Sequence, residues 1–268
     1  MFLRRIFPLF VFCCMAWTHP SLVILQEQAG NLEDSLESFQ ENFMPAFSGS
    51  EEIIRHSAFT LSYSEKHEQA KWVAYRLTAE MCNNNGEERT NNFRKDQKIK
   101  TGSSDPLDYK KSGYDRGHLC PAGDMGWSEE SMSESFLMSN MSPQLPGFNR
   151  GIWKNLEGEV RKWAIENKEL FVVTAGILEG SLMTIGPGKI AVPSYYYKVI
   201  LDLHAPHYKA IAFVLPNEAS KASVFKYAVS IDSVEHLTGI DFFPVLPDSL
   251  ESNLEAHFNT NLWKTKTP

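Results

Sequence analysis

The stretch Tyr114-Asp115-Arg116-Gly117-His118-Leu119-Cys120-Pro121-Ala122-Gly123-Asp124-Met125 places an acid, a cation and an imidazole within four residues. Gly117 separates the cation from the imidazole, and Pro121 and Gly123 then interrupt any regular element. Such a run reads as the end of a strand entering a loop. If Asp115 to His118 is extended, Arg116 and His118 share one face, because side chains alternate with period two. A base and a fixed positive charge then point at the same place. Attack on a phosphodiester needs that pair: a group to take a proton from water, and a cation near the oxygens where charge builds.

Two more blocks follow in order. They are Phe136-Leu137-Met138-Ser139-Asn140-Met141-Ser142-Pro143-Gln144 and Phe148-Asn149-Arg150-Gly151-Ile152-Trp153-Lys154-Asn155-Leu156-Glu157. With Asp115-Arg116-Gly117-His118 they resemble the DNA/RNA non-specific endonuclease family and its DRGH motif. The resemblance runs from Phe59 to Pro247. It implies a ββα-metal (His-Me finger) fold that hydrolyses phosphodiester bonds of DNA and RNA to 5′-phosphate products. It makes His118 the general base. It makes Asn149 the ligand of Mg²⁺, with Mn²⁺ as the alternative ion. Glu157 would hold metal-bound waters, and Arg116 and Arg161 would neutralise developing negative charge. Asn140 would hydrogen-bond within the pocket. A phosphate-contacting arginine is implied upstream of the motif, where Arg89 and Arg94 are both candidates. Asp115 is read as orienting the loop, or as a partner behind the ligands.

Read without the resemblance, each of these residues has an ordinary role. His118 is a structural histidine, Asn149 a residue at a helix start, Asn140 a helix C-cap. Glu157 would pair with Arg161 four residues on.

The pattern of elements leads to the same fold class. Phe59–Ser64 and Lys71–Thr78 read as strands, and Asn83-Asn84-Asn85-Gly86 as a loop. Ser128 is a candidate N-cap, with Glu129 and Glu130 behind it. Asn149–Asn167 reads as a helix, with Ile152, Leu156, Val160 and Trp163 as its apolar stripe. On one continuous helix Asn149, Glu157 and Arg161 fall within an arc of roughly 120° and face one pocket. Leu170–Leu178, Val192–Leu203 and Tyr208–Leu215 read as strands, the last two joined as a hairpin. Ser230–Leu237 reads as a short helix stopped by Gly239. Strands and helices do not alternate regularly. That predicts α+β, with a central, largely antiparallel sheet flanked by helices.

With 268 residues and 43% apolar content the chain can bury a sizeable core. Its formal net charge of −7 argues mildly against a polyanionic partner. The segment Arg89–Lys111 runs the other way, with seven basic residues against three acidic ones. Arg4 and Arg5 precede the apolar run Ile6–Trp17, the shape of a secretory signal peptide. The predicted layout is a leader at 1–21, a polar linker at 22–55, the nuclease domain at 56–248 and an amphipathic tail at 249–268. A secreted or periplasmic protein follows, with mitochondrial import as the alternative. No stable membrane span remains after leader removal, and the resemblance allows a homodimer. Beyond the leader only Cys82 and Cys120 are left, too few for a disulfide framework. No Cys/His spacing suggests structural zinc.

Two rival readings stay open at this stage. One is a secreted phosphodiesterase for small diesters. The other is a catalytically silent nucleic-acid-binding protein on the same fold.

Overall fold

The computed structural model describes residues 43–47, 49, 51–205 and 208–264, all within one compact unit, Asn42–Pro268. The expected leader and most of the expected linker lie outside these residues. In chain order the strands are β1 (Glu52–Arg55), β2 (Thr60–Ser64), β3 (Gln69–Thr78), β4 (Asp115–His118), β5 (Met141–Gln144), β6 (Glu169–Gly176), β7 (Thr184–Ile185), β8 (Ile190–Ala191), β9 (Tyr195–Asp202), β10 (Lys209–Pro216) and β11 (Ala228–Val229). The α-helices are α1 (Ala79–Asn83), α2 (Glu129–Glu134), α3 (Lys154–Asn167), α4 (Ile231–Thr238) and α5 (Asp248–Ala256).

Seven strands form one sheet in the order β1-β2-β3-β6-β9-β10-β11, each neighbouring pair antiparallel. The class is α+β, as the sequence predicts. β3, β6 and β9 are buried along most of their length. That is why they read as near-continuous apolar runs rather than as strict alternation. Helix α3 packs against β3 and β6, and α4 and α5 against β10. β9 and β10 form the predicted hairpin, with Lys209 opposite Asp202.

β4 and β5 form a separate antiparallel pair, and α3 follows it, giving the ββα unit. Buried hydrogen bonds tie β5 to the large sheet. The Ser142 hydroxyl donates to Gln69 Oε1 at 2.6 Å, and the Tyr196 hydroxyl donates to the Pro143 carbonyl at 2.8 Å.

Three local readings differ from the structure. Residues 52–55, read as linker, form the edge strand β1, paired with β2. The Ser128 cap is present, its hydroxyl accepting from the Ser131 N–H at 3.1 Å, but the helix it starts ends at Glu134. The chain then turns through a 3-10 segment, Met138–Asn140, because buried side chains there bond elsewhere. Ser139, for example, donates to the Asp96 carboxylate at 2.6 Å. The long helix is not continuous either. Gly151 has φ −107° and ψ −112°, so a wide π-type turn, Phe148–Trp153, precedes α3. The tail supplies core as well as surface: Leu254 and Trp263 are buried, and the Trp263 ring meets Trp163 edge-on at 5.2 Å. Among the described residues no helix is long and apolar enough to cross a membrane.

Gly117 is required by packing. A Cβ there would lie 2.2 Å from Gln144 Cδ and 2.4 Å from its Cγ, and Gln144 is fully buried. Gly117→Ala should therefore destabilise the β4–β5 pair by about 1–3 kcal/mol, the usual cost of overpacking. A thermal melt checks this. An unchanged Tm would mean that the Gln144 side chain has somewhere to go.

Candidate active site

β4 is extended, so Arg116 and His118 lie on one side of it, as alternation requires. Both line an open cleft of 440 Å³, together with Arg89, Asn149, Arg150, Lys154, Glu157 and Arg161. β4 supplies the first two, the π-type turn Asn149 and Arg150, and α3 the last three. Five cationic side chains thus face one carboxylate, that of Glu157, within the cleft. The charge of this site is opposite in sign to that of the whole chain.

His118 is only 8% exposed, and its Nε2 has no hydrogen-bond partner. The ring stands edge-on to Phe136 at 4.8 Å and to Phe93 at 5.8 Å. Burial first, then the positive charges of Arg89 and Arg116, push its pKa down to about 3, against a hydrogen bond to the Arg116 backbone. The imidazole is therefore neutral at neutral pH, with Nε2 as an unused acceptor. The same two aromatic rings carry the arginines. The Arg116 guanidinium lies 4.1 Å over Phe93, and that of Arg89 lies 4.7 Å over Phe136.

Asn149 donates from Nδ2 to Asp115 Oδ2 at 2.9 Å, which leaves Oδ1 as its free end. Arg150 holds the same carboxylate at 2.8 and 2.6 Å. Burial acts to raise the Asp115 pKa, but the hydrogen bonds from Arg150 and Asn149 outweigh it and hold the group below the usual carboxylate range. Asp115 thus fixes which end of the Asn149 carboxamide faces outward.

Arg161 does not pair with Glu157 four residues before it. Its Nη1 donates instead to the fully buried Asp124 at 2.6 Å, whose other oxygen accepts from the Tyr75 hydroxyl at 2.9 Å. The Glu157 carboxylate carries no hydrogen bond or ion pair among the described residues. Desolvation raises its pKa, with Lys198 opposing and Asp124 adding to the rise.

Lys198 of β9 was not singled out from the sequence. It is fully buried, its Nζ has no hydrogen-bond partner, and it lies 4.8 Å over the Trp153 ring. Desolvation lowers its pKa, while Glu157 and Asp124 pull it back up. The only signal for it was a lysine inside the apolar run Tyr195–Leu201. Lys198→Met removes the charge that most opposes Glu157 protonation. The acid limb of the pH–activity profile should then move to higher pH, with about fivefold less activity at neutral pH for the first pKa unit gained. A profile identical to that of the unmodified protein would separate Lys198 from Glu157.

Two sequence expectations are corrected or narrowed. Asn140 does not line the cleft. It is buried, its Oδ1 accepts from the Cys120 N–H at 2.8 Å, and its Nδ2 donates to the Cys120 and Ser135 carbonyls at 2.9 and 2.8 Å. The backbone after the motif uses up its hydrogen bonds. Arg94 is also turned away, donating to the Ser133 carbonyl at 2.8 Å, so Arg89 alone of that pair reaches the cleft. Cys82 and Cys120 are both free, and burial pushes both thiols up, that of Cys82 to about 11. Neither is a nucleophile near neutral pH.

A sequence profile described as DNA/RNA non-specific endonuclease matches residues 40–249. The chain is 34% identical to a nuclease of Nostoc sp., over 76% of this chain and 77% of that protein. It is 33% identical to Nuclease C1 of Cunninghamella echinulata var. echinulata, over 76% and 88%. It is 29% identical to human mitochondrial endonuclease G, over 73% and 71%. Among solved structures, one of the EndoG/EndoGI complex, which concerns the mechanism of EndoG inhibition, matches with a TM-score of 0.72 and 30% identity, covering 80% of this chain and 93% of that one.

Proposed function

Because the chain belongs to the DNA/RNA non-specific endonuclease family and is an endonuclease, we propose that it hydrolyses DNA and RNA with His118 as general base and a divalent cation at Asn149. The residues fit such an ion. The free Asn149 Oδ1 and the unpartnered Glu157 carboxylate are oxygen donors, the set that suits a hard cation, Mg²⁺ or alternatively Mn²⁺. When bound, the cation polarises the scissile phosphate and stabilises the leaving 3′-oxygen.

The chain's own residues do the rest. Asp115 holds the Asn149 carboxamide in one orientation. Neutral His118 accepts a proton from the attacking water through its imidazole. The new bond forms between that oxygen and phosphorus, and the bond to the 3′-oxygen breaks, leaving a 5′-phosphate and a 3′-hydroxyl. Arg89, Arg116 and Arg161 line the same cleft and would offset the charge that grows on the phosphate oxygens. Contacts of this kind go to phosphate rather than to base edges, so little base preference follows.

The observation that carries this reading is a single cleft lined by both His118, whose ring is neutral, and the Asn149 carboxamide. Purified protein should cut both plasmid and RNA in Mg²⁺ and lose that activity in excess EDTA. Full cleavage in EDTA would remove the ion from the scheme. Turnover of a small diester without cleavage of polymer would favour the phosphodiesterase rival, and binding without nicking the silent one. A secretory leader at 1–21 and a homodimer complete the proposal. The N-terminus of the mature protein and its mass in solution test them.

A further inference from the structure

A second cluster of ionisable groups lies outside the cleft, where α4 and α5 meet. Asp232 and Glu235 come from α4, Glu251 and Glu255 from α5, and Asp241 from the connection. They form two groups, Asp232/Glu235/Glu255 and Asp241/Glu251/Glu255. In each group three carboxylate oxygens lie within 4.8 Å of one another. Two oxygens on opposite sides of one Ca²⁺ are separated by about that much, at roughly 2.4 Å per Ca–O bond.

Glu255 is common to both groups, and it is the independent sign of a ligand. It is only 7% exposed, and its Oε1 is buried with no hydrogen-bond partner. A helix has no packing reason to bury a carboxylate there. Glu251 and Glu255 are four apart, an arrangement of like charges that weakens a helix. None of the five forms an ion pair among the described residues. One Glu235 oxygen accepts the Phe242 N–H at 2.8 Å, which ties the connection beside Asp241 to α4.

We propose that this cluster is a cation site, in which Asp232 and Glu235 of α4 and Glu255 of α5 bind one Ca²⁺-type ion and thereby fasten α4 to α5. An all-carboxylate donor set suits a hard ion that accepts irregular, oxygen-rich coordination, and lacks the nitrogen and sulfur donors that zinc favours. In the ion's absence, burial and then the repulsion of Glu235, Glu251, Asp232 and Asp241 push the Glu255 pKa up to about 8. None of these residues lines the catalytic cleft.

The test uses the full chain carrying Asn149→Ala, so that the proposed catalytic ligand does not compete. Calorimetric titration with CaCl₂ should show one ion bound per chain. Thermal melts at constant ionic strength should show Tm rising by about 5–10 °C when Ca²⁺ is about 100 times its Kd. Adding Glu255→Gln should abolish both effects. Should that variant fold poorly, the exposed Asp232→Asn should weaken Ca²⁺ binding by roughly tenfold or more. Glu255→Gln alone should leave Mg²⁺-dependent plasmid cleavage within about twofold. No heat and no Tm rise with Ca²⁺, or equal responses with and without the Glu255 carboxylate, would overturn the site.

Discussion

His118→Ala is expected to lower cleavage of plasmid and RNA by about 10²–10⁴-fold, the usual contribution of a general base. The ring is neutral, and His118 lines a cleft that Arg89, Arg116 and Arg161 also line. Because its pKa lies near 3, acid loss of activity just below neutral pH should not come from His118. Glu157, whose pKa is raised by burial, is the group that titrates on that side.

The same shift acts on stability. The folded pKa lies below the value of about 6.5 for a free histidine, so the unfolded chain binds more protons between the two. Stability of the unmodified protein therefore falls as pH drops from about 6.5 toward 3, by at most about 1.4 kcal/mol per pH unit from this group. His118→Ala lacks that penalty. Its Tm should drop less on acidification than that of the parent, even if it starts lower because the Phe93 and Phe136 rings lose a neighbour. Activity and Tm measured from pH 7 to pH 4 check both points. Undiminished cleavage by a folded alanine variant would remove His118 from the chemistry.

The sequence exposed those parts of the site that lie close together along the chain. Arg116 and His118 share a strand face, and that holds without further information. Asn149, Glu157 and Arg161 do meet in one cleft, though not by the route expected. The apolar stripe begins at Ile152, so it fixed the face of α3 alone and was silent about the break at Gly151. The buried layer beneath the cleft was not legible. Tyr75 comes from β3, Asp124 from the loop after β4, and Lys198 from β9. Only the folded sheet brings them together, and no local periodicity reports it. The choice between Arg89 and Arg94 was open for a related reason. Irregular backbone has no period, so side-chain direction there is set by particular contacts, such as Arg94 on the Ser133 carbonyl. Asn140 misleads because polarity alone does not say whether a carboxamide serves substrate or backbone. By contrast, the continuous apolar runs of β6 and β9 announced a sheet covered on both faces.

Two substitutions, Asn149→Ala and Asp115→Ala, should both impair cleavage but fail in different ways. Removing Asn149 takes away the proposed ligand and should cost on the order of 10²–10³-fold, since a bound cation supplies several kcal/mol of charge stabilisation. Extra Mg²⁺ should recover little of that. Asp115→Ala leaves Oδ1 of Asn149 in place but removes the acceptor that fixes its partner nitrogen at 2.9 Å. Losing a group behind a ligand typically costs about 10–100-fold in affinity or activity. Here the loss should appear mainly as a higher Mg²⁺ concentration for half-maximal rate, and should shrink as Mg²⁺ is raised. Asp115→Asn retains an acceptor oxygen without the charge, so it should fall between Asp115→Ala and the parent. Titrating Mg²⁺ against initial rate separates the cases. An unaltered Mg²⁺ requirement in Asp115→Ala would reduce Asp115 to a surface partner of the exposed Arg150 and leave the orientation of the carboxamide without a cause.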